Sequence, residues 1–169
     1  MCLKRNKLNI SVMILTVFIV LLLSSCSQSN QNTGPYDFGL LYSYRNISLS
    51  DSDKLQELIS HLQYAKELSI DRIEFKTENK EILRIDYRMN LTSGQQYKVN
   101  HTNMMADVVM IFALFDNLNA VEYNLVQGDY CYGGVPITRE RAEQVLGADI
   151  KPLGKTEEIF LSEMPQIIA

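Results

Sequence analysis

The chain has 169 residues, with 16 Lys and Arg against 20 Asp and Glu and a formal net charge of −4. That balance excludes a nucleic-acid binder held by phosphate contacts, and a protein docked on anionic lipid through a basic patch. Three cysteines, at positions 2, 26 and 131, are too few for a disulfide scaffold.

Lys4, Arg5 and Lys7 precede an apolar run at residues 10–23 that only Ser11 and Thr16 interrupt. A basic end followed by a short greasy segment reads as a secretory signal. The run falls short of the roughly 20 residues that span a bilayer comfortably. At its end Leu23-Ser24-Ser25-Cys26 resembles the lipobox of bacterial lipoproteins: an aliphatic residue, two small residues and a Cys. The resemblance implies a diacylglycerol thioether on the Cys26 sulfur and cleavage between Ser25 and Cys26. Acyl chains, palmitate among them, would then anchor the protein. An uncleaved signal anchor is the alternative, and it places the chain on the same side of the membrane. The reading therefore divides the chain into a signal peptide at 1–25, a tether at 26–36 and one extracytoplasmic domain at 37–169.

Lys4, Arg5 and Lys7 leave with the signal, so thirteen of the sixteen basic residues remain against twenty acidic ones, a net charge near −7. Cys2 leaves too and Cys26 is acylated, so Cys131 has no partner within the chain. A buried small hydrophobe is the expected role for it, with a reactive thiol as the alternative. Residues 27–35 contain no apolar side chain before Gly34-Pro35. Such a tether spans roughly 17 Å and keeps the domain near the membrane surface.

Leu40, Tyr42 and Tyr44 alternate with Leu41, Ser43 and Arg45, which predicts a first strand. Leu55, Leu58, Ile59, Leu62 and Ala65 then recur at helical spacing, predicting an amphipathic helix over 51–66 behind a Ser50-x-x-Asp53 capping box. Ile73, Phe75 and Thr77, then Leu83, Ile85, Tyr87 and Met89, alternate with charged residues on either side of Glu78-Asn79-Lys80, the pattern of a β-hairpin. Its charged face mixes both signs, as any solvated sheet face does, and no site is inferred there. Residues 91–102 read as a loop. Residues 104–115 are apolar except for Asp107, which predicts a helix buried on most sides. Val121, Tyr123 and Leu125 predict another strand, Thr138 caps a short helix to Leu146 with Gly147 after it, and a further short helix covers 157–164. The order strand, helix, strand, strand, helix, strand predicts an α+β fold, an antiparallel sheet with helices on one face in ferredoxin-like split βαβ order, preceded by the cleaved signal helix.

Several of these segments together resemble the family known as domain of unknown function 4825. They are Asn46 to Leu55, the hairpin ending in Ile85-Asp86-Tyr87, Met110-Ile111-Phe112-Ala113-Leu114-Phe115-Asp116-Asn117-Leu118 followed by Val121-Glu122-Tyr123, and Ile137-Thr138-Arg139-Glu140. The resemblance implies a Gram-positive cell-envelope lipoprotein and transfers no catalytic residue.

Catalytic patterns are missing from the sequence itself. There is no G-x-S-x-G, P-loop or H-E-x-x-H, and His61 and His101 stand outside metal-ligand spacing. The reading expects no enzyme, no metal and no cofactor beyond the lipid on Cys26. It expects a monomeric binding or interaction module on the outer face of the cytoplasmic membrane, with a small ligand or an envelope protein as partner. The alternatives are an accessory or sensory lipoprotein of a membrane receptor or transporter, and an envelope hydrolase with an unrecognised site.

Overall fold

The alternation at residues 40–44 belongs to a helix, α1 (Phe38–Ser43), and not to a strand. Asp37 caps it by accepting from the Leu40 N–H, and the buried positions Phe38, Leu41 and Tyr44 follow a three-residue spacing. Leu40 is exposed, so the apparent period of two was coincidental. A computed structural model describes residues 34–76, 81–92 and 95–168, all within one unit of the chain. The expected signal peptide with Leu23, Ser24, Ser25 and Cys26, most of the expected tether and the expected turn at 78–80 lie outside the described residues.

The predicted helix over 51–66 is two helices, α2 (Ser52–Ser60) and α3 (Gln63–Glu67), broken at His61 and Leu62. The cap is Asp51, which accepts from the Lys54 N–H at 3.2 Å; the expected Ser50–Asp53 box is not what forms. The two hairpin strands are present as β1 (Ser69–Lys76) and β2 (Ile82–Arg88), paired antiparallel with a register shift between Ile70 and Arg72. Then come α4 (His101–Leu114), β3 (Ala120–Gln127), β4 (Tyr130–Gly133), β5 (Ile137–Thr138) and α5 (Arg139–Leu146). A 3₁₀ turn at Lys151–Gly154 and α6 (Glu157–Ile167) complete the described residues. Thr138 and Gly147 cap α5 as expected, Gly147 with a left-handed φ of 72°.

The fold is α+β, with a five-stranded, mostly antiparallel open sheet in the order β1-β2-β3-β4, β5 also pairing β3. The ferredoxin-like order is corrected in two respects. Its first strand is helical, and the central pair β2–β3 is parallel, Leu83 facing Val121 and Ile85 facing Tyr123. Parallel neighbours need a long crossover, and the segment carrying α4 supplies it. Leu83, Ile85 and Tyr87 of β2, with Val121 and Tyr123 of β3, form the core face, where the helices pack. Every residue of α4 from Asp107 to Leu114 is buried, so this helix runs through the middle of the core. Burying a side chain such as Phe112 or Ile111 contributes about 1.5–3 kcal/mol each.

Candidate functional site

The last turn of a helix leaves carbonyls without intrahelical partners, and at α4 two arginines satisfy them. Arg139 donates to the carbonyls of Phe112 (3.0 Å), Phe115 (2.6 Å) and Leu118, and its guanidinium lies 4.7 Å from the Phe112 ring centroid. Arg45 donates to the carbonyls of Leu114 (2.9 Å) and Gly154 (3.0 Å) and pairs with Asp116 at 2.6 Å. A Cβ on Gly154 would stand 1.6 Å from the Ala113 carbonyl oxygen, so only glycine lets the 3₁₀ turn close on α4. The Phe-Ala-Leu-Phe-Asp-Asn segment and the Thr-Arg-Glu start of α5 thus meet in a structural clasp.

The other half of α4 is built differently. Asp107, fully buried, reaches back 43 and 44 residues in sequence to cap α3: its two oxygens accept from the Gln63 and Tyr64 N–H groups, each at 3.0 Å. Leu62, at the N-cap position of α3, supplies no side-chain bond of its own. The Tyr36 hydroxyl also donates to Asp107, at 2.7 Å, tying down the start of the domain. Burial raises the Asp107 pKa from 3.8 to about 6, against the three hydrogen bonds that favour the carboxylate.

Beside this carboxylate sit three tyrosines from three elements: Tyr64 of α3, Tyr87 of β2 and Tyr123 of β3. Tyr64 and Tyr123 stack with ring centroids 5.8 Å apart and planes within 9°. Tyr87 tilts against both, at 5.6 and 5.7 Å. Among the described residues, these three hydroxyls are the buried side-chain oxygens or nitrogens without a hydrogen-bond partner in the protein. The Tyr97 hydroxyl and the Asn100 N–H lie near the Tyr64 hydroxyl, but neither meets hydrogen-bond geometry with it. An unsatisfied buried hydroxyl costs about 1–3 kcal/mol, so three together call for an explanation. Burial raises the pKa of all three, which keeps the phenols neutral and able both to donate and to accept.

Tyr64 and Tyr123 line a cavity of about 360 Å³, whose remaining wall is mostly apolar and includes Met104, Leu125, Tyr132 and Val135. That volume lies at the small end of the roughly 300–1,000 Å³ typical of ligand sites, whose walls are mostly apolar; the Tyr64 and Tyr123 hydroxyl oxygens are themselves buried away from it. Tyr132 and Val135 are 53% and 80% exposed, so the apolar wall continues to the surface. Gly133, at φ 112°, permits this wall: a Cβ there would stand 2.6 Å from the Tyr123 carbonyl oxygen. A second hollow of about 410 Å³ lies among α4, α5 and the end of α6, lined by Val109, Val145, Leu146 and Ile168 among others. None of the unpartnered hydroxyls lines it.

The opposite face of the sheet is polar and satisfied. Arg84 pairs with Asp86 at 2.8 Å, Asn124 donates to Asp86 (2.7 Å) and Glu122 (3.2 Å), and Lys76 lies 3.6 Å from Glu122. Although burial acts to raise the Asp86 pKa, the bonds from Arg84 and Asn124 hold it below the ordinary carboxylate value. The mixed-charge face is therefore a closed network, and at Asp86, Glu122 and Asn124 it is buried where the sequence reading expected a solvated face.

Cys131 corrects the sequence reading: it is exposed, because β4 is an edge strand with all four residues open to solvent. His61 packs beside Tyr44, ring centroids 6.0 Å apart, and His101 opens α4 as a lining residue of both cavities. Among the described residues no group of three or more His, Cys, Asp or Glu side chains is placed to hold a metal ion. Leu23, Ser24, Ser25 and Cys26, the residues singled out by sequence, lie outside the described residues. The tyrosines and Asp107 escaped sequence reasoning as a site, although Asp107 stood out as the one charge in an apolar helix.

No curated protein and no solved structure matches the chain. A family model does, over residues 41–134, more than half of the chain. The match takes in α2, α3, the hairpin strands, α4, β3 and β4, and so Tyr64, Tyr87, Asp107 and Tyr123. The chain belongs to the family described as a domain of unknown function, DUF4825.

Proposed function

We propose that this protein is a lipid-anchored binding module on the outer face of the cytoplasmic membrane, which takes a small, largely apolar ligand into the cavity between α3, α4 and β3. The observation that carries the binding role is a mostly apolar cavity of about 360 Å³ that opens to the surface at the exposed Tyr132 and Val135. The anchor rests on Leu23-Ser24-Ser25-Cys26 after a basic and apolar leader, and two acyl chains suffice for stable attachment where one does not.

Two experiments test the two halves. Cys26→Ser is expected to abolish incorporation of labelled palmitate and to leave an uncleaved precursor; incorporation that persists in the variant contradicts the anchor. For the cavity, the full chain in lipid nanodiscs is photolabelled with an aliphatic diazirine and the labelled peptides are mapped by mass spectrometry. Label concentrated on the peptides that carry Tyr64, Tyr123 and Leu125 is expected, and Val135→Arg, a change at an exposed wall position, reduces it. Label spread evenly over the surface contradicts the binding role.

A further inference from the structure

The rim of the cavity is itself an apolar surface, and what it meets can be inferred once the anchor and the cavity proposed above are taken as the starting point. We propose that residues 130–135, the open edge of the sheet and the turn after it, form a membrane-contact surface. Tyr130, Tyr132 and Val135 sit at the headgroup level of the bilayer that holds the anchor, and they turn the mouth of the cavity toward lipid.

The two edges of the sheet are built in opposite ways. β1, one edge, carries Asp71, Arg72, Glu74 and Lys76, and charges of both signs keep an exposed edge in water. β4 lies along the other edge, and residues 130–136, Tyr-Cys-Tyr-Gly-Gly-Val-Pro, contain no charged side chain. Five large hydrophobic side chains are exposed among the described residues, and three of them fall here: Tyr130 (71%), Tyr132 and Val135. The register puts both tyrosines on one face. Tyr132 stands opposite Leu125 and Tyr130 opposite Gln127, on the side of β3 that carries Tyr123, while Cys131 stands opposite Val126 on the other side. Tyr132 and Val135 also line the cavity, so the exposed patch and the cavity wall are continuous. A contiguous apolar patch of this kind marks a contact surface, whereas single exposed residues do not.

Lipid fits this surface better than another protein does. Tyrosine, with an apolar ring and a polar tip, is a residue type that collects at the membrane–water interface. A strand added from a second chain is poorly served here. β4 is only four residues long, and Gly133 and Gly134, at φ 112° and 88°, take the backbone out of extended geometry before Pro136. The tether keeps the surface within reach of the bilayer. The Pro35 carbonyl accepts from Gln63 and from Lys66 (2.6 Å), so the chain enters the domain on α3, the helix that gives Tyr64 to the cavity. Nine steps of chain lead from Cys26 to Pro35, a reach of about 30 Å when fully extended. The contact is shallow. Asp129 is exposed in the turn before β4, and neither its carboxylate nor the outer backbone groups of an edge strand can enter hydrocarbon without partners.

The test places a nitroxide on the full lipidated chain in phosphatidylcholine nanodiscs that hold one chain each. Cys131→Ser combined with Val135→Cys puts the label on the rim, and Cys131→Ser combined with Arg72→Cys puts it on the charged edge as a reference. Relative to residue 72, the label at 135 is expected to lose most of its relaxation by a water-soluble nickel chelate and to gain relaxation by dissolved oxygen. An apolar contact gives the same result in low and high salt. Adding Tyr130→Ser and Tyr132→Ser, both at exposed positions, is expected to return the nickel response at 135 to the level at 72. Equal nickel access at the two positions overturns the proposal, as does protection that high salt abolishes or that survives loss of both tyrosines. Protection that appears only when two chains share a disc overturns it in favour of a contact between copies. Palmitate incorporation and diazirine labelling of the Tyr64, Tyr123 and Leu125 peptides read the anchor and the cavity separately. Failure at residue 135 with both of those intact strikes the membrane contact alone.

Discussion

The two ends of α4 are solved in opposite ways. At its C-terminus, Arg139 and Arg45 satisfy the carbonyls of Phe112, Leu114, Phe115 and Leu118, and Gly154 lets a turn close against Ala113. Toward its N-terminus, Asp107 caps a different helix and three tyrosine hydroxyls beside it are left without a partner in the protein. Both regions are buried and both carry polar groups, so burial alone does not separate them. What separates them is whether hydrogen bonding is complete. The closed end holds the fold, and the open end borders a cavity.

The strongest test of this contrast attacks the closed end. Arg139→Met removes charge-assisted bonds to three carbonyls, and loss of such bonds together with the stranded acceptors is expected to destabilise the full chain by about 3 kcal/mol. A shift of the denaturant midpoint measures it. Cavity labelling per folded molecule should stay at the wild-type level, since Arg139 lines neither hollow. Loss of labelling at full folding would merge the two regions into one site.

A smaller effect is expected from Asp107. Folding raises its pKa from 3.8 to about 6, so the folded state holds this proton more tightly than the unfolded state. The resulting stabilisation is complete below the unfolded value and is lost as pH rises through about 6, an amount of about 2–3 kcal/mol by linkage. Other carboxylates titrate in the same range, so the measurement is the difference between wild type and Asp107→Asn. That difference should change between pH 4 and 7, with the wild type losing ground as pH rises. A difference that is flat with pH would place Asp107 in a more solvated setting than full burial implies.

Smaller still is Tyr87→Phe. Tyr87 belongs to the aromatic trio but does not line the cavity. Removing its hydroxyl is expected to raise stability by about 1 kcal/mol and to leave probe labelling unchanged. A loss of stability would reveal a partner for this hydroxyl.

Much of the scaffold was legible in the sequence because its signals are local. The alternation in β1, β2 and β3, the Thr138 and Gly147 caps of α5 and the apolar run of α4 each lie within one element. The failures were local coincidences: Leu40, Tyr42 and Tyr44 alternate within a helix that Asp37 nucleates, and Cys131 occupies an edge strand that a single-strand pattern cannot reveal. The site was illegible for a different reason. Tyr64, Tyr87 and Tyr123 come from a short helix and two strands, and the parallel β2–β3 pairing that sets Tyr87 near Tyr123 depends on the crossover through α4. Asp107 showed as an anomaly, yet its partners lie 43, 44 and 71 residues away.

The central claim is that the open end of α4 borders a ligand cavity, and photolabelling of the full chain in nanodiscs with the aliphatic diazirine tests it most directly. The account predicts label concentrated on the peptides that carry Tyr64, Tyr123 and Leu125, and less of it in Val135→Arg. Label spread evenly over the surface and unchanged in that variant would contradict it.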